Sequence, residues 1–68
     1  MKIKELDLHR IKHEDVDRLV ENFVLLNIPP LTIITGKSQI MRELVKDVLE
    51  KHNIHYEQWD NPGEYKIL

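Results

Sequence analysis

No cysteine occurs anywhere in the 68-residue sequence. That absence excludes a disulfide framework and every metal or redox site built on thiolates. Long apolar runs are missing too. No stretch approaches the ~20 consecutive apolar residues of a membrane span. The opening Met1-Lys2-Ile3-Lys4-Glu5-Leu6-Asp7 carries no apolar core of a secretory signal. A soluble, cytoplasmic protein with no membrane partner is therefore expected. Repeats, low-complexity tracts and linkers are absent. An excess of positive charge is lacking as well: ten Lys+Arg against twelve Asp+Glu leave a net charge of −2. A polycation that coats nucleic acid by bulk charge is disfavoured, and a local basic patch would have to serve instead.

What is present is the composition of a globular chain, 41% apolar and 32% charged. Its length suits one domain over residues 1–68 and is too short for two. Such a chain buries only roughly 60% of its unfolded surface, so its core is marginal.

The apolar periodicities lay out an order of elements. Ile3 to His9 reads as a strand, with Leu6 and Leu8 alternating with Asp7 and His9. From His13 to Leu26, Val16, Leu19, Val20, Phe23 and Val24 recur at spacings of three and four, which predicts a helix. That helix must end before Pro29-Pro30. Leu31-Thr32-Ile33-Ile34-Thr35 predicts a buried strand, broken by Gly36. Ile40, Met41, Leu44, Val45, Val48 and Leu49 form a second helical stripe from Gln39 to about His52, with Ser38 as its cap. Ile54 to Asp60 alternates loosely, Asn61-Pro62-Gly63 signals a turn, and Glu64 to Leu68 reads as a last strand. The expected fold is therefore a β-α-β-α-β-β two-layer α/β sandwich. Two helices would cover a four-stranded mixed sheet that ends in an antiparallel hairpin.

If the first two strands are parallel neighbours, their carboxyl ends share one edge of the sheet, where α/β folds commonly bind ligands. His9-Arg10 and Thr35-Gly36-Lys37-Ser38 would then meet. The second loop suits an anion: Gly36 permits close backbone approach, a helix follows, and Lys37 supplies charge. Ser38 either donates to a phosphate or caps the helix. A nucleotide-binding P-loop does not fit, because the first glycine of that motif would fall at Leu31. The plainer reading is a strand-to-helix turn with a solvated lysine.

Asp7 and His9 share a strand face. His9 suits proton transfer near neutral pH with Asp7 holding its ring, or Asp7 could help hold a divalent cation beside a phosphate. The plainer alternative is that both satisfy backbone groups at a strand end. The remaining histidines, His13, His52 and His55, mark helix ends, and no dedicated metal site is expected. Tyr56 and Trp59 could stack on bases if exposed, although in so small a domain cover for core or sheet is the commoner use.

At Leu6-Asp7-Leu8-His9 and at Ile34-Thr35-Gly36-Lys37 the chain resembles the Smr, or small MutS-related, domain family. Members open with a Leu-Asp-Leu-His strand and carry a His-Gly-x-Gly or Thr-Gly-x-Gly loop after the second strand. Met41-Arg42 stands where the family commonly has Leu-Arg. Arg10 replaces the glycine that usually follows the first motif, Thr35 stands at the position of the common histidine, and Ser38 at that of the closing glycine. The resemblance implies a fold like the carboxyl-terminal domain of bacterial translation initiation factor three. It also implies binding of RNA or DNA and, as in many members, endonuclease activity with or without Mg or Mn. Asp7 and His9 would be its catalytic pair. Arg10, Thr35, Gly36, Lys37, Ser38 and Arg42 would bind the nucleic acid. The alternative is a non-catalytic module that binds structured RNA, a ribosome or a protein. The missing loop histidine and the acidic balance favour it. A homodimer covering an open sheet face is a third expectation.

Overall fold

A computed structural model of the chain describes residues 4–59 and 62–68. Its elements are β1 (Lys4–Asp7), α1 (His13–Leu26), β2 (Leu31–Ile34), α2 (Gln39–Lys51) and β3 (Glu64–Ile67). The sheet order is β1-β2-β3, with β1 parallel and β3 antiparallel to the central β2. No helix among the described residues is long and apolar enough to cross a membrane.

The periodic stripes explain the packing. Val16 and Val20 of α1, and Met41, Val45, Val48 and Leu49 of α2, join one core with Leu31, Ile33, Tyr65 and Ile67 of the sheet. Both helices therefore cover the same sheet face. Each fully buried aliphatic side chain here contributes about 1.5–3 kcal/mol relative to exposure. Ile40 departs from its expected place: it sits in the first turn of α2 and is exposed. Ser38 caps that helix by accepting from the Met41 amide at 3.1 Å. The α1 start has no such side-chain cap, but at the other end the Asn27 amide group donates to the Phe23 carbonyl at 2.8 Å.

The expected four-stranded sheet is corrected to three strands. The segment after α2 leaves the helix through Asn53, whose φ of 56° is left-handed. The Ile54 amide returns to the Leu49 carbonyl at 2.8 Å and the Asn53 amide to that of Glu50 at 3.1 Å, a paired helix stop. Among the described residues beyond it, Glu57 alone pairs with β3, through reciprocal 2.8 Å bonds to Lys66. Ile54 and Tyr56, at alternate positions, both pack against the core, so the loose alternation has a physical basis. It reports which side chains face inward, however, and not whether a ladder of backbone bonds forms. The Tyr56 hydroxyl donates to Glu50 at 2.9 Å, tethering this segment to α2 instead. The expected hairpin is thus a single bridge. Ile3, Asp60 and Asn61 lie outside the described residues.

Candidate nucleic-acid interface at the carboxyl edge of the sheet

The parallel register Lys4↔Leu31 through Asp7↔Ile34 brings the ends of β1 and β2 to one edge. One further bond, from the Leu8 amide to the Ile34 carbonyl at 2.9 Å, carries the pairing past the strand. The chain then turns sharply, with Arg10 in a left-handed conformation at φ 66°. This turn sets the His9 ring directly over Gly36: a Cβ on that glycine would lie 2.7 Å from His9 Nε2. Gly36 itself has φ 69°. The backbone conformation favours glycine there, and any added Cβ would push the exposed His9 ring aside.

Asp7 orients the ring. Its Oδ1 accepts from the His9 backbone amide at 2.9 Å and lies 2.6 Å from Nδ1. A carboxylate can only accept, so Nδ1 carries the hydrogen and Nε2 is left on the Gly36 side. The backbone amide of His9, and secondarily its ring, hold the Asp7 carboxyl below its usual range. Asp7 and His9 are each 61% exposed, so this is a surface pair and not a buried one.

His9, Ile34, Gly36, Lys37, Pro62 and Gly63 line a cleft of about 450 Å³. Its far wall was not legible in the sequence, where Pro62 and Gly63 read only as a turn. The antiparallel pairing of β3 with β2 carries that turn to the same edge, since Ile34 stands opposite Glu64. The Gly63 carbonyl then accepts from the Thr35 amide at 2.7 Å and the Gly36 amide at 3.1 Å, with the Thr35 hydroxyl also 3.1 Å away.

These bonds reassign several expected site residues. Thr35 is buried and directs its hydroxyl inward, so it braces the loop from beneath. The Gly36 amide is engaged by Gly63, and Ser38 is engaged as the helix cap. Lys37 is exposed on the cleft, and Arg10 is exposed beside His9 in the chain. Arg42 is not brought into the cleft; its guanidinium lies 3.4 Å from Gln39 Oε1, and its carbonyl accepts from the Tyr65 hydroxyl at 3.0 Å.

A magnesium or manganese ion at this edge would find few donors. His9 and His13 stand four apart in sequence, but a turn separates them from a common helix face. Among the described residues no three His, Asp or Glu side chains converge, and Asp7 Oδ1 already receives two bonds. The side chains do not form a cation cage. Elsewhere, His52 Nε2 meets Glu21 Oε2 at 2.8 Å, a clasp between the two helices far from the cleft.

No protein-family model, curated protein or solved structure matches the chain.

Proposed function

We propose that the cleft binds the phosphodiester backbone of RNA or DNA, and that the Asp7–His9 pair moves a proton when that backbone is cut. The observation that carries this reading is the 2.6 Å contact that holds His9 Nδ1 while Nε2 lies at the Gly36 wall of the cleft. A ring held in one tautomer beside a cation is suited to proton transfer at a phosphate. Lys37 supplies a point charge at the cleft, and Arg10 supplies a fork for two phosphate oxygens. No step is routed through a metal.

The Smr resemblance supports the same reading through the backbone at Arg10. Where that family places glycine, this chain holds a left-handed φ of 66°, the conformation glycine favours. One observation favours the non-catalytic alternative: His9 is the only histidine lining the cleft among the described residues, so a second proton-transfer group is not at hand.

Labelled RNA and DNA incubated with the protein, with and without magnesium or manganese, test the proposal. Cleavage that His9→Ala abolishes while binding persists is the expected result. Lys37→Ala should weaken binding and lower its salt dependence by about one released counterion. Binding without cleavage would leave the module reading. Undiminished cleavage by His9→Ala would reject the role given to that residue.

A further inference from the structure

The sheet has a second face, and no helix among the described residues covers it. Both helices pack against the side that carries Leu31, Ile33, Tyr65 and Ile67. Strand alternation sends the intervening residues the other way. In register, Glu5, Thr32, Lys66 and Glu57 form one row across that face, and Asp7, Ile34 and Glu64 form the next. Among the described residues in these two rows, four carboxylates therefore stand against one ammonium. That local excess of negative charge exceeds the −2 of the whole chain.

Trp59 projects over the same face. Its indole N–H donates to Glu57 Oε1 at 2.8 Å, and Lys66 Nζ lies 5.6 Å from the ring centroid. Despite these contacts Trp59 is 59% exposed. The indole thus already receives one cation and offers further ring surface to solvent. An aromatic ring surrounded by carboxylates matches a guanidinium, which stacks on the ring while its N–H groups fork onto carboxylate oxygens. Asp7 meets His9, Glu57 meets Trp59 and His55, and Glu64 meets Lys66, while each carboxylate has about four acceptor sites.

We infer that this open face docks an arginine-rich polypeptide segment. The charges stand on β1, on β3 and at Glu57, on both sides of the uncharged β2 residues Thr32 and Ile34, which calls for several cations on one chain. Phosphates are repelled by Glu5, Glu57 and Glu64. A second copy pressed face to face would set like charge against like. The face shares Asp7 and Ile34 with the nucleic-acid site, but the inference rests on Glu5, Glu57, Glu64 and Trp59, which do not line the cleft.

Trp59 is the only tryptophan in the sequence, so its fluorescence reports on this face alone. Titration with an octa-arginine peptide at low salt should give a saturable change in emission, with octa-glutamate giving none. The double variant Glu5→Gln/Glu64→Gln should weaken binding ~10-fold, and high salt should do the same to the unaltered chain. Lys37→Ala should leave the response unchanged. Circular dichroism of each variant separates lost binding from lost folding, and the salt titration reads the same charge dependence without any substitution. Two outcomes would overturn the inference: unmoved emission with the peptide, or equal binding by the double variant and in high salt.

Discussion

Arg10 and Gly36 hold nearly the same left-handed backbone, at φ 66° and 69°, with opposite consequences. At Gly36 any side chain meets both the strain of that conformation and His9 Nε2 at 2.7 Å. Gly36→Ala is expected to cost about 1–2 kcal/mol in urea denaturation. It should also shift the NMR signals of the His9 ring, which must swing away from Asp7. Arg10 bears the strain already, so Arg10→Gly should stabilise the fold by about 0.5–1 kcal/mol while weakening nucleic-acid binding. A gain in both properties would show that the Arg10 charge contributes nothing to the interface. Asp7 offers a titration. Its lowered carboxyl stabilises the fold above the usual carboxylate range, and that contribution disappears as pH falls through the lowered value. In His9→Ala the ring's bond is lost but the larger cause, the backbone amide, survives. The Asp7 side-chain carbon should therefore titrate at higher pH than in the unaltered chain, yet still below an ordinary aspartate.

The two helices were legible as sequence because an amphipathic stripe is a local pattern. His13–Leu26 coincides with the expected span, and Gln39–Lys51 ends one residue short of it. The Ser38 cap was legible for the same reason, being a side chain that reaches only three residues along the chain. Ser38→Ala should lower stability by about 1 kcal/mol and the melting temperature by roughly 4–8 °C for a domain this small. An unchanged melting temperature would mean that water or a neighbouring group replaces the cap at no cost. The alternation over Ile54 to Asp60 predicts a strand that the described residues do not form, because inward-facing side chains at alternate positions look alike in a ladder and in a tethered extended segment. Its course follows from the helix stop at Asn53 and the Tyr56–Glu50 bond, both of which turn it toward α2.

A domain of this size has a total stability of roughly 3–10 kcal/mol. Ile33 is wholly buried on the central strand, and Ile33→Ala is expected to cost about 2–5 kcal/mol. Loss of cooperative unfolding at room temperature is therefore within reach of one truncation, and a denaturation curve with an unmoved midpoint would contradict the single-core architecture. Most of the side chains that line that core (Ile40 excepted), where the helices run, and that Gly36 and Lys37 follow a buried strand were determined by the sequence itself, through patterns spanning a few residues. Only the tertiary structure decided that Gly63 closes the cleft, that Thr35 turns inward, that Arg42 stays away and that Trp59 stands over Lys66. Each of those depends on contact between residues 7 to 34 positions apart. Periodicity does not encode such contacts; they arise when burial of the apolar face forces strands and loops into one register.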